Sequence, residues 1–147
     1  MAKPKVSIII RTRNEERWIG ASLSGVFSQS YTDFEVILVD NESTDHTVRK
    51  ACSFPIAKVL TCRDYTPGKA LNIGIQASRG ERIVCLSGHC IPVTDRWLEN
   101  LVRNLDEDGI VDREILGGNY HGYRGKKSKT FVRAAEGAGE RPIMTGG

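Results

Sequence analysis

Long apolar runs are missing from this 147-residue chain. None approaches the roughly 18 residues of a membrane-spanning helix. The apolar stretch near the amino end, in MAKPKVSIII, stops at Arg11, so a secretory leader is not expected. The expected location is cytoplasmic, free or peripheral at the inner face of a membrane. Paired cysteines are also missing: Cys52, Cys62, Cys85 and Cys90 show no C-x-x-C spacing, which argues against a zinc ribbon or a thioredoxin-type redox pair. They read as free thiols, Cys85 as a small hydrophobe in an apolar strand. Aromatics make up only 7% and are not interleaved with a basic block, and the net charge is a mild +3. Nucleic acid is therefore not an expected partner, although a small polyanion is compatible. What is present, 39% hydrophobic and 27% charged residues, describes a soluble domain with one core, too short for two ordinary ones.

Strand and helix signals alternate through the first hundred residues. KVSIII (5–10), FEVILV (34–39), IAKVLTC (56–62) and RIVCLS (82–87) read as strands. Between them, Asn14 predicts the N-cap of a helix over about 15–28, with Glu15 and Glu16 favourable in its first turn and Ile19, Leu23, Val26 and Phe27 as its apolar stripe. Thr44 or Asp45 caps a short helix with Val48, Ala51 and Cys52 on one face. Pro67 suits the first turn of a helix running to about Ser78, with Gly80 as its stop. Asp95 caps a last helix lined by Trp97, Leu98, Leu101, Val102 and Leu105. This alternation predicts an α/β fold, three layers α/β/α around a mostly parallel sheet with right-handed crossovers.

Beyond Gly109 the character changes, since eight of the fifteen glycines fall between Gly117 and Gly147 and YRGKKSK (123–129) is basic. A strand at Glu114 to Gly117 and a weak helix near Lys129 to Glu136 are the expectations there.

Polar residues gather where the strands end. Arg11, Thr12, Arg13 and Asn14 follow the first; Asp40, Asn41 and Ser43 the second; Ser87, Gly88, His89 and Cys90 the fourth. In a parallel sheet these ends share one edge, which makes a convergent polar rim a binding-site hypothesis. Asp40 can accept hydrogen bonds from a base or ribose, or simply form a turn. Lys69 at a helix opening suits a diphosphate, or is a solvated lysine. Arg11 and Arg13 alternate, so one faces the site and the other solvent. His89 has three readings: a ligand for manganese, zinc or iron rather than magnesium, a loop or ribose contact, or base to a Cys90 nucleophile. The last is disfavoured because adjacent residues at a strand end point apart.

Four blocks carry a resemblance: VSIIIRTRNEERWI, FEVILVDNESTDHTV, PGKALNIGIQASRGERIVCLS and HCIP, in this order and spacing. Together they resemble the amino-terminal half of family 2 glycosyltransferases, whose fold is the nucleotide-diphospho-sugar-binding GT-A type, over about residues 5–105. The resemblance implies that Thr12, Asn14 and Glu15 line the nucleotide pocket and that Asp40 binds the base. Asn41 and Ser43 belong to the turn that follows, and Lys69 and Asn72 pack against the donor. Typical members end the fourth strand with Asp-any-Asp, which holds a divalent metal, Mn or Mg, on the diphosphate. Here Ser87, Gly88 and His89 stand in its place. His89 is then either a neutral metal ligand or a direct hydrogen-bond donor to phosphate, with Lys69 and arginines supplying charge.

The implied activity is inverting transfer of a sugar from a UDP- or GDP-sugar to an acceptor hydroxyl, the acceptor being a saccharide or lipid-linked. Residues 1–109 are the expected donor-binding domain. Residues 110–147 are an irregular basic tail or the start of the acceptor region, which makes the fold, as expected, a truncated one. The catalytic base is not identified: Glu107-Asp108 is the one Glu-Asp dipeptide but falls early, and nothing around Glu136 or Glu140 matches the family pattern. A site completed by a longer chain or a homo-oligomer, and a module or inactive fragment that binds nucleotide sugar without turnover, are the alternatives. A nucleotidyltransferase is disfavoured, since no glycine-rich, arginine-containing loop follows VSIII.

Overall fold

Strand β1 (Val6–Thr12) is VSIIIRT, buried along its whole length except for half-buried Arg11. A β-branched run hidden on both faces is what a central parallel strand requires. It pairs in parallel with β2 (Phe34–Asp40) on one side and β4 (Arg82–Ser87) on the other. β3 (Lys58–Thr61), shorter than its predicted span, is the edge strand beside β2. The structure is a computed structural model that describes residues 2–108 and 130–133. In it the sheet has five parallel strands in the order β3-β2-β1-β4-β5.

Two cores flank this sheet where one was expected, because a sheet covered by helices on both faces buries each face separately. On one face Ile8, Ile10, Val36, Leu38, Val84 and Leu86 pack against α1 (Ile19–Phe27), α2 (Thr47–Ala51) and α4 (Trp97–Asp108). On the other, Ile9, Ile37, Val39, Ile83 and Cys85 meet Ala70, Leu71 and Ile75 of α3 (Pro67–Ala77). The three layers are those predicted. Outward steps from β1 through β3 put α1 and α2 on one face, and the return to β4 puts α3 on the other, as crossovers of one handedness demand. Helix α3 can lie close because Gly74 has no side chain; a Cβ there would meet Ile9 Cγ2. Gln29, which no sequence signal singled out, joins α1 to α4: its Nε2 donates to Gly25 O and Thr94 O, and its Oε1 accepts from Leu98 N–H.

Several local expectations need correction. Helix α1 begins at Ile19, not near residue 15, and Asn14 does not cap it. Asn14 sits at φ 49° and turns its side chain across to the next loop, a conformation Asn tolerates better than most residues. Glu15 and Glu16 are consequently outside the helix's first turn. Helix α2 has His46 at its cap position, while the Asp45 carboxylate accepts the Thr47 N–H at 2.9 Å. Cys52 is exposed rather than on the buried face. The weak helix near 129–136 is instead a strand over part of that span, β5 (Thr130–Arg133), paired in parallel with β4. The strand expected at Glu114 to Gly117 lies outside the described residues.

At the sheet's amino-terminal edge a buried carboxylate closes three segments together. Glu35 Oε1 accepts from Ser7 Oγ at 2.7 Å and from the Arg79 N–H at 2.7 Å, and Oε2 accepts from Arg79 Nε at 3.2 Å. The Gly80 N–H donates in turn to Ser7 Oγ. Burial alone would raise the Glu35 pKa, but these hydrogen bonds and the guanidinium outweigh it, so the group lies below its ordinary 4.5. The folded state therefore binds fewer protons than the unfolded one, and the contribution is complete above pH 4.5 and lost as pH falls through the lower folded value. We expect Glu35→Gln to cost about 1.5–3 kcal/mol at pH 7 and to flatten the acid side of the stability curve. Urea unfolding from pH 3 to 7 reads this, and an unchanged acid slope would contradict it.

Candidate functional site

The sheet register brings the strand-end residues together. Thr12 pairs with Asp40 and Arg11 with Ser87. The strand order reverses between β1 and β4, since the chain leaves β1 for β2 and β3 and then crosses back. Such switch points are where open α/β sheets hold ligands, outside the strands' carboxyl ends.

Hydrogen bonds tie the loop after β1 to the loop after β2. The Asp40 carboxylate, itself buried, accepts from Ser43 N–H at 2.9 Å and Ser43 Oγ at 2.6 Å. Ser43 Oγ accepts in turn from Asn14 N–H at 2.8 Å, and Asn14 Oδ1 accepts from Thr44 N–H at 2.8 Å. Farther along, Glu15 N–H donates to Thr47 Oγ1, and Glu16 N–H to Asp45. Burial would raise the Asp45 pKa, but donation from the Thr47 hydroxyl and N–H and from Glu16 N–H lowers it. Glu16 Oε2 lies 2.9 Å from His46 Nδ1. Asn41 is buried and its N–H donates to Thr12 O. Asn14, Glu42 and Asp64, the non-glycine residues with positive φ among those described, each follow a different strand's carboxyl end. That is where backbone strain tends to accompany function.

The end of β4 approaches from the other side. His89 Nδ1 lies 3.0 Å from Ser87 Oγ and 3.0 Å from Glu15 Oε1. The His89 side chain is 41% exposed and that of Glu15 21%. Gly88 N–H donates to Arg11 O, and Cys90 N–H closes the turn on Ser87 O. A Cβ on Gly88 would lie 2.6 Å from Thr12 Oγ1 and 2.9 Å from Thr12 Cβ. Thr12 Oγ1 is buried with no hydrogen-bond partner among the described residues, a cost of about 1–3 kcal/mol unless a donor or acceptor is supplied.

Not every sequence-predicted residue joins this cluster. Lys69 stands in the first turn of α3, where its ammonium donates to Arg63 O at 2.6 Å and Asp64 O at 3.5 Å; in this state it braces the loop after β3. Asn72 is half-buried one turn further along. Arg13 is exposed and Arg11 half-buried. Arg11 Nη1 donates to the Tyr65 hydroxyl at 2.8 Å, a partner 54 residues away that no local pattern signals. Glu107-Asp108 ends α4, while Glu136 and Glu140 lie outside the described residues. Among the described residues no three of His, Cys, Asp and Glu gather as a metal-ligand set, and no helix is long and apolar enough to cross a membrane.

The family model described as Glycosyl transferase family 2 matches residues 7–145. The chain belongs to that family. Two curated relatives of this family 2 chain illustrate its similarity. It is 31% identical over 120 residues to the dolichyl N-acetyl-alpha-D-glucosaminyl phosphate 3-beta-D-2,3-diacetamido-2,3-dideoxy-beta-D-glucuronosyltransferase of Methanococcus voltae, covering 76% of this chain and 37% of the relative. It is 32% identical over 118 residues to the UDP-Glc:alpha-D-GlcNAc-diphosphoundecaprenol beta-1,3-glucosyltransferase WfgD of Escherichia coli, covering 78% and 45%. Among solved structures, the mannosyltransferase PcManGT from Pyrobaculum calidifontis, in complex with GDP-Man and Mn2+, superimposes with a TM-score of 0.62 at 27% identity, over 73% of this chain and 34% of that one. The family 2 chain thus spans less than half the length of these relatives.

Gly88→Ala is expected to destabilise the chain by about 1–3 kcal/mol, the usual cost of overpacking, because its neighbours are a strand backbone and the stiff Thr12 side chain. Denaturant unfolding measures this, and wild-type stability would show that the turn yields.

Proposed function

We propose that this chain is the donor-binding half of an inverting glycosyltransferase, which moves a sugar from a nucleotide-diphospho-sugar to an acceptor hydroxyl. One observation carries the reading: Thr12, Asn14, Glu15, Asp40, Ser43, Ser87 and His89 converge on one rim at the β1/β4 switch point. The names of the relatives support it, one using UDP-Glc and another holding GDP-Man.

Each side chain has work that its geometry allows. Asp40 keeps lone pairs beyond the two bonds from Ser43, enough to accept from the N–H of uracil or guanine or from a ribose hydroxyl. Thr12 offers a buried hydroxyl beside the Gly88 turn, and Asn41 donates its N–H to Thr12 O. Asn14 and Ser43 are spent on holding the two loops together, so they shape the pocket wall rather than grip the donor. A small donor set suits an ion that takes most of its ligands from a bound diphosphate, and His89, backed by Glu15, suits Mn better than Mg. When bound, such an ion would neutralise charge developing on the departing nucleoside diphosphate. The acceptor hydroxyl attacks the anomeric carbon opposite that leaving group, so its base belongs across the sugar from this rim. The acceptor, saccharide or lipid-linked, and any homo-oligomer that completes the site are matters for that other half.

Calorimetric titration of UDP and of GDP, each with and without Mn2+, into the wild-type chain and Asp40→Asn tests the reading. We expect one nucleotide to bind more tightly with metal. Asp40→Asn should weaken it about tenfold, the equivalent of one hydrogen bond to a charged acceptor. Absence of binding by either nucleotide in every condition would sink the proposal.

A further inference from the structure

Arg11 is half-buried at the end of the central strand, and its guanidinium has no carboxylate partner among the described residues. We propose that Arg11 and Tyr65 form a phosphate-binding pair at the carboxyl edge of the sheet, which takes the diphosphate of a nucleoside-diphosphate donor. The identity of the donor rests on the function proposed above, whereas the phosphate chemistry rests on the pair itself.

Strand alternation turns Arg11 to the face that carries Ile9, Val39 and Cys85, the side covered by α3. Tyr65 packs against the same core from the loop that opens α3, so its ring is anchored where its hydroxyl meets Arg11 Nη1 at 2.8 Å. A partly buried charge without a counter-ion is costly, and the carboxylates of the rim are engaged elsewhere: Asp40 with Ser43, Glu15 with His89 and Glu42 with Arg63. Tyr65 accepts one N–H without bringing any charge and keeps its own hydrogen, for which no acceptor lies among the described residues. The remaining guanidinium N–H groups are likewise unpartnered among them. The pair thus presents a planar fork of donors and a hydroxyl hydrogen, the complement of an anion with several acceptor oxygens, and phosphate fits that fork in shape and charge. Lys69 adds to the positive field, since its ammonium stands in the first turn of α3 with carbonyls rather than carboxylates as partners. Register sets Arg11 between Val39, which precedes Asp40, and Ser87. A nucleotide with its base at Asp40 that extends toward the β1/β4 switch point carries its diphosphate past Arg11.

Arg13, two residues on, carries the same charge but is exposed, which makes it the control. Wild type, Arg11→Gln, Tyr65→Phe and Arg13→Gln are titrated calorimetrically, as the full chain and without metal, with inorganic pyrophosphate, UDP and GDP. The arginine 1H–15Nε signals of the wild type, assigned through the backbone, are followed in the same titrations. We expect pyrophosphate and at least one nucleotide to shift the Arg11 signal. Their affinity should fall about tenfold or more in Arg11→Gln and about threefold in Tyr65→Phe, with Arg13→Gln near wild type. An Arg11 signal unmoved by saturating nucleotide would overturn the inference and leave the donor site standing. Equal losses in Arg11→Gln and Arg13→Gln would also overturn it, since they mark net charge rather than contact. Pyrophosphate that shifts Arg11 while neither nucleotide binds more tightly than pyrophosphate upholds the phosphate pair and overturns its assignment to the donor. If none of the three binds, the pair falls, and the titration with Mn2+ described above judges the donor site separately. Should Arg11→Gln fail to fold, the wild-type signals and Tyr65→Phe decide the matter.

Discussion

Because β1 is paired in parallel on both sides, the positions of three loops follow from the register of one strand. Thr12 opposite Asp40 and Arg11 opposite Ser87 fix where each loop departs. A slip of one residue would also turn Ile8 and Ile10 out of one core and Ile9 out of the other. Both faces are apolar, so such a slip costs packing fit in two cores at once, against α1 on one side and the closely laid α3 on the other. The polar rim is thereby placed by the apolar residues beneath it.

The rim itself is stiffened by short polar links. Asp40, Ser43 and Asn14 form a relay across the first two loops, and Asp45 with Thr47 forms a second. Each uses a side chain to satisfy a backbone N–H that a loop would otherwise leave to water. Glu35, Ser7 and Arg79 do the corresponding work at the opposite edge. The sheet thus has a hydrogen-bonded carboxylate at each edge, Glu35 at the amino-terminal one and Asp40 at the carboxyl-terminal one.

Much of this was legible in the sequence, and the exceptions have identifiable causes. The strands stand out because buried parallel strands are unbroken apolar runs, and α3 because Thr66 and Pro67 mark its start with a side-chain cap and a proline. The convergence of strand-end residues needed only the inference of a parallel sheet. Asn14 misled because an Asn before a helix signals a cap, while the same small amide also tolerates left-handed backbone; its choice was made by Ser43 and Thr44, about thirty residues on. TFVR (130–133) reads weakly because a four-residue strand exists only through pairing with β4. Lys69 matched a family position, yet its ammonium went to nearby carbonyls that spacing does not reveal. Glu15 and His89 were each singled out, but their contact is long-range and became visible only once the loops were placed.

The consecutive glutamates divide their loyalties: Glu15 reaches the turn after β4, and Glu16 reaches His46 before α2. Two adjacent residues therefore splice loops from both sides of β1, each through the same imidazole atom. Such a junction depends on chain length. One residue inserted or lost between Thr12 and Glu15 would offer each histidine the wrong glutamate or none, so this loop can change its composition in evolution more freely than its length.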